Sequence, residues 1–200
     1  GVVKSALGTD LDYRRTETVG PKVGGELIEA GIVAVLLALS AMLIYIWFRF
    51  EWQFGVGAVV ALIHDVMLTI GIFALLGLEF NLSTVAAILT IAGYSINDTV
   101  VVYDRVRENL RKYKTMDLEA LLNLSINNTL SRTILTSVTT LLALLALFIF
   151  GGEVIKGFSF AMIWGVIVGT YSSIWIAVPL LVYMKLKRGG LILGEADGTQ

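Results

Sequence analysis

The chain has 200 residues, 56% of them hydrophobic and 16% charged, with a mean hydropathy of +0.82. Soluble domains are nearer about 45–50% apolar, so this composition describes an integral membrane protein. A net charge of −1 gives no basis for nucleic-acid binding, zero cysteines remove disulfides and thiolate chemistry, and one histidine removes a multi-histidine metal centre.

The phosphate-loop pattern Gly-x-x-x-x-Gly-Lys-Ser/Thr is absent, which removes nucleotide hydrolysis by that route. No metal, cofactor or catalytic nucleophile is expected, so the chain does not read as an enzyme.

Residues 1–26 are polar and punctuated. The run 13–19 alternates like a short strand, Gly20 and Pro21 break it, and Gly24 and Gly25 make a joint before the first apolar stretch. The segment fits either the end of a folded extramembrane domain or a disordered leader. Five apolar stretches follow, at 27–48, 54–76, 82–104, 132–150 and 158–184. Each is close to or beyond the roughly 20 residues that a membrane-crossing helix needs. The predicted fold is therefore an all-α integral membrane protein with five transmembrane helices.

Glu29 suits the N-terminus of the first span, and Tyr45, Trp47, Phe48 and Trp52 mark an interface. The second span carries Gly55 and Gly57 for close packing, with His64 and Asp65 near its midpoint. Adjacent helical side chains point about 100° apart, so those two cannot both face one partner squarely. They fit either a pair buried in interhelical hydrogen bonds or a direct role in function.

The central span, 82–104, carries Asp98 in its C-terminal half. An ionisable group there costs roughly 2.5 kcal/mol or more by insertion scales, which points to function. Thr90, Tyr94 and Asp98 are spaced i, i+4, i+8 and share a face; Ser95 and Asn97 add polar atoms, and Gly93 is expected to let another helix approach. A basic run, 105–114, then reads as a topology-setting loop. Residues 115–130 read as a short amphipathic helix, with Thr115 as N-cap and Leu118, Leu122, Ile126 and Leu130 as its apolar stripe. It is expected to lie along the membrane or beneath the bundle.

The fourth span opens on Arg132 and a hydroxyl cluster that includes Thr133, Thr136, Ser137, Thr139 and Thr140. The fifth carries Gly165, Gly169 and Ser173 at steps of four, a helix-packing pattern, and Pro179 as a kink. Residues 185–200 read as a tail. Placing the run 105–114 in the cytoplasm also puts Arg49 and the Lys185, Lys187, Arg188 cluster there. The N-terminal segment, Glu79 and the Glu153/Lys156 loop then fall outside.

Asp98 and Arg132 sit at similar depth on consecutive helices. They are compatible with a permanent salt bridge and with a proton switch, in which protonation of Asp98 releases Arg132. Tyr94, Ser95, Asn97, Thr136, Thr140, His64 and Asp65 are the candidates for a supporting polar path. An intramembrane aspartyl protease would use Asp65 and Asp98, but it wants Gly-x-Gly-Asp where this chain reads Ser95, Ile96, Asn97, Asp98. A small-molecule or lipid exporter would favour large extramembrane loops. A purely structural membrane subunit is the third alternative.

Four segments together carry a resemblance: GYSINDTVVVYDRVREN at 93–109, VGPKVGGEL at 19–27, IHDV at 63–66 and LSRTILTSV at 130–138. They resemble the SecD/SecF family, on its SecF side, within the resistance-nodulation-division (RND) superfamily of transporters. The resemblance runs to about residue 188. It implies six family spans with a periplasmic α/β domain between the first two. The five spans here would be family helices 2–6 of an RND-type half-bundle, preceded by a remnant of that domain at 1–26. It implies a bacterial inner-membrane motor driven by the proton motive force, which pulls or releases a translocating unfolded polypeptide. Asp98 and Arg132 would be its proton-coupling pair. The implied partners are SecD, the SecYEG translocon, YajC, protons and membrane lipids. The alternative on the same superfamily template is an RND-type exporter of small molecules or lipids.

Overall fold

The computed structural model describes residues 21–49, 51–79 and 81–184, with some side chains of the first helix outside that description. The expected strand around 13–19 and the tail at 185–200 lie outside the described residues. The elements are α1 (Pro21–Arg49), α2 (Trp52–Leu76), α3 (Leu82–Lys112), α4 (Leu118–Phe150), α5 (Glu153–Ser172), a π-helical turn (Ser173–Ala177) and α6 (Val178–Tyr183). Five helical stretches are long and apolar enough to cross a membrane, the last running from Glu153 to Tyr183 through the π turn.

α3 and α5 form the central pair, α2 and α4 flank them, and α1 packs at the periphery against α2 and α3. Each helix end is set locally. α3 begins with a capping box: Thr84 N–H donates to Asn81 Oδ1 at 3.2 Å, and Asn81 N–H donates to Thr84 Oγ1 at 3.4 Å. α2 ends at Gly77, whose φ of 62° is the left-handed conformation that glycine adopts without penalty.

Three expected boundaries shift. α1 starts at Pro21 instead of near 27, because proline at the first helical position has its φ already set and no N–H to lose. The basic run is helical as far as Lys112. The separate amphipathic helix does not exist, since α4 is one helix from Leu118, capped by Asp117, whose Oδ2 accepts from Glu119 N–H at 3.0 Å. The reason is a stripe of buried side chains at steps of four, Leu121, Ser125, Thr129, Thr133 and Ser137, that crosses the expected break at 131. At 1.5 Å per residue α4 is roughly 50 Å long, against a hydrocarbon core of roughly 30 Å. Its amphipathic start therefore extends beyond the bilayer beside the end of α3, where Asn109 Nδ2 donates to Ser125 Oγ at 2.9 Å.

The interior is layered. One apolar cluster joins Phe54, Ala58, Tyr103, Val106, Leu121, Val178 and Leu181. The other joins Phe73, Ala87, Ile91, Leu144, Ala161 and Val166 at the opposite end. Between them α2, α3, α5 and the π turn bury a set of polar residues: Asp65 and Thr69, Ser95 and Thr99, and Ser172 and Ser173.

Close approach supports this packing, as expected where lipid tails remove the hydrophobic drive between helices. Gly165 seats the Ile91 side chain, and Gly57 seats the Tyr103 hydroxyl, which donates to Ala177 O at 2.9 Å. At Gly93, among the described residues, an added Cβ would meet Met42 Cε of α1 at 3.9 Å, an ordinary contact distance. Gly57→Ala is expected to push Tyr103 off Ala177, cost about 1–3 kcal/mol and lower the unfolding midpoint in detergent. Gly55→Ala, whose Cβ would reach only Ile46 at 3.9 Å among the described residues, is the control expected to leave that midpoint in place.

Candidate functional site

Asp65 is the centre of the polar layer. It is wholly buried, and its Oδ2 accepts from Ser95 Oγ at 2.5 Å and from Ser172 Oγ at 2.8 Å. His64 Nδ1 lies 3.1 Å from Oδ1, while the His64 ring is half-buried and 6.4 Å from the Tyr171 ring. One carboxylate thus ties α2 to α3 and α5. Gly169 permits it, because it packs against Ser95 with no side chain between the helices.

Asp98 lies on the α4 side of the same layer. Its Oδ1 accepts from Thr133 Oγ1 at 2.7 Å, and its Oδ2 is buried without a hydrogen bond among the described residues. Arg132, one residue from that donor, is at the level expected. No ion pair joins it to Asp98 among the described residues. Thr133 and Arg132 point about 100° apart, so the inward position goes to the hydroxyl and the guanidinium stays exposed. Arg132 instead lines an open cleft of about 390 Å³ with Asp104, Arg105, Glu108, Asn128 and Thr129, on the side of α3 and α4 that carries the basic run.

The remaining predicted residues divide. Tyr94 faces α4, with its hydroxyl 3.5 Å from Ser137 Oγ, and Ser137 lies 2.6 Å from Thr170 Oγ1. Ser95 faces Asp65 instead of Asp98. Thr90, Asn97 and Thr136 are exposed; Thr90 returns its hydroxyl to Ala86 O, and Thr136 to Arg132 O at 2.9 Å. Thr140 is half-buried and outside the network. Ser173 does more than pack: its hydroxyl meets Thr99 Oγ1 at 2.9 Å and Gly169 O at 2.9 Å. Thr99, Thr133 and Ser172 were not singled out as site residues. The available signal was a match in level, since a buried carboxylate at 65 or 98 requires hydroxyls at equal depth on its neighbours.

A family model described as "Protein export membrane protein SecD/SecF, C-terminal" matches residues 2–187. The chain belongs to the SecD/SecF family. Among SecD/SecF relatives, "Protein translocase subunit SecF" of Cereibacter sphaeroides is 56% identical over 203 residues, covering 100% of this chain and 63% of the relative. The protein of the same description from Rhodobacter capsulatus is 60% identical over 184 residues, covering 92% and 55%. This chain therefore spans somewhat over half the length of these relatives. A crystal structure of SecDF from Thermus thermophilus, described as a translocon-associated membrane protein, superposes with a TM-score of 0.81 at 50% identity, covering 85% of this chain and 24% of that one. A SecDF structure in a "super-membrane-facing form" gives 0.77 at 45% identity, covering 89% and 24%. The five helices thus have the arrangement of an integral SecDF membrane region.

Asp65→Ala would leave the Ser95 hydroxyl without its acceptor, whereas Ser172 can fall back on Gly169 O, 3.1 Å away. The expected cost is about 1–3 kcal/mol, read as a lower unfolding midpoint in detergent. Asp65→Asn keeps an acceptor and is expected to recover most of it. Equal stability of Asp65→Ala and the unsubstituted protein would contradict this arrangement.

Proposed function

We propose that this chain is the membrane part of a SecF-type subunit of Sec protein export. It works with SecD and the SecYEG translocon in the bacterial inner membrane, with YajC nearby, and couples proton flow to movement of the exported polypeptide. The observation that carries this reading is Asp98: a carboxylate in the middle layer of a spanning helix, with one oxygen bonded to Thr133 and the other buried and unbonded. Such a group suits reversible protonation, because a proton removes the cost of the unbonded charged oxygen. The Arg132 cleft supports the reading by supplying a polar approach from the end carrying the basic run. A membrane potential supplies about 2.3 kcal/mol per charge per 100 mV, enough to bias a cycle of this kind.

The arrangement separates the two expected roles. Thr133 holds Asp98, and Arg132 meets the carboxylate only through a change in side-chain position. Asp98→Asn, in the full-length protein reconstituted with SecD, is expected to insert and assemble but to lose coupled proton flux by roughly a hundredfold or more. Arg132→Ala is expected to be impaired, and Arg132→Lys to recover only part, because lysine offers a point charge where arginine offers a planar fork. Flux and precursor export are measured together in proteoliposomes. Undiminished coupling in Asp98→Asn would sink the mechanism. Loss of the assembled protein would instead favour a structural polar centre.

The proposed topology places the N-terminal segment and the 151–157 loop on the periplasmic side, with the 105–114 segment and the C-terminal tail cytoplasmic. Because the chain has no cysteine, a single one introduced at Lys112 gives a clean reporter. It should resist membrane-impermeant maleimide in intact cells and react after lysis; labelling before lysis would invert the topology.

A further inference from the structure

We infer that Ser173 is a positioning residue for Asp98, a hydroxyl that turns onto the free carboxylate oxygen when Asp98 is ionised and back to the Gly169 carbonyl when Asp98 is protonated. This rests on the reading of Asp98 as the proton-coupling group.

The geometry assigns every proton in this corner. Ser173 Oγ lies 2.9 Å from Gly169 O, 3.4 Å from Ser95 O and 2.9 Å from Thr99 Oγ1. A hydroxyl has one proton to give. With that proton on Gly169 O, Thr99 must be the donor to Ser173. Those α3 contacts flank Asp98, Ser95 three residues before it and Thr99 one residue after it, and Asp98 Oδ2 is buried and unbonded.

Moving the Ser173 proton is cheap at its starting point. Gly169 O keeps the backbone N–H of Ser173, so it is not orphaned when the side chain leaves. It is favourable at its destination, because a hydrogen bond to an ionised carboxylate is roughly twice as strong as a neutral one. Thr99 follows as a donor in either position, so the chain of hydroxyls stays satisfied.

The ionisable groups around this centre are His64 and Asp65 on α2, Tyr94 and Tyr103 on α3, Arg132 on α4 and Tyr171 on α5. Asp65 already has two serine donors, one of them Ser172, which anchors the residue next to Ser173. The site therefore holds the backbone at 172 still while leaving the hydroxyl at 173 free to choose.

The test uses the full-length protein assembled with SecD. Infrared difference spectra on a pH change report the carboxyl stretch of Asp98, identified by its loss in Asp98→Asn, and proteoliposomes report proton flux. Ser173→Ala is expected to shift that band and lower flux on the order of tenfold, equivalent to about 1.4 kcal/mol. Ser173→Thr, which keeps a hydroxyl, should restore both. Thr99→Val keeps the side chain's shape and removes only the donor behind Ser173, so it should move the same band even if Ser173→Ala fails to assemble. An unmoved band in both Ser173→Ala and Thr99→Val overturns the inference, as does equal loss of flux in Ser173→Ala and Ser173→Thr with the band in place. Those results leave the coupling role of Asp98 standing. Undiminished flux in Asp98→Asn removes that role and this inference with it.

Discussion

A carboxylate buried where no water reaches must be met by donors at its own depth, and Asp65 imposes that condition on three helices at once. Ser95 and Ser172 satisfy it from α3 and α5. Sliding any of these helices by one turn would bring Asp65 against one of the apolar clusters that cap the layer at either end. The interior tolerates an unbonded charged oxygen poorly. Specificity of register in this bundle therefore comes from its polar middle, while the apolar clusters contribute close contact that is less sensitive to position.

Asp98 gains its character by comparison with Asp65. The two carboxylates occupy one layer, and their donor sets differ. Asp65 has two serine hydroxyls on Oδ2 with a histidine nitrogen beside Oδ1; Asp98 has a threonine on one oxygen and nothing on the other. A fully satisfied acid holds its neighbours in place. A half-satisfied one, near a cleft lined by an exposed arginine, has a reason to change state. Under the proposed function, the anchor is the acid with its donors in place and the carrier is the one without.

Much of the architecture was legible from hydropathy and length alone, since five apolar stretches became five spanning helices. The level shared by Asp98 and Arg132 was legible too, because rise per residue fixes depth. Which neighbour takes the inward position was not. Residues 132 and 133 differ in direction by about 100°, and only the rotation of α4 about its axis decides between them. The apolar stripe Leu118, Leu122, Ile126 and Leu130 is only part of the contact face of α4: Leu122 is buried with Leu118 and Ile126 packed beside it, while Leu121, Ser125, Thr129 and Thr133 make up the rest. Large side chains signal burial in water; inside a membrane bundle, small hydroxyl residues join the contact face as well. Gly93 faces the first helix, with Met42 Cε 3.9 Å from where an added Cβ would stand.

The π turn at Ser173–Ala177 stands just before Pro179, which has no N–H to give to the preceding turn. A π turn holds one residue more than the α-helical path between the same two points. That surplus sets the angular phase of everything beyond it. Val178 and Leu181 face the cluster around Phe54 and Tyr103 only with the extra residue in place. Shortening this segment by a single residue would turn them by about 100° and present a different side of α6 to α2. The last span is thus two helical segments held out of phase, and its length cannot drift by one residue without changing which half of it belongs to the core.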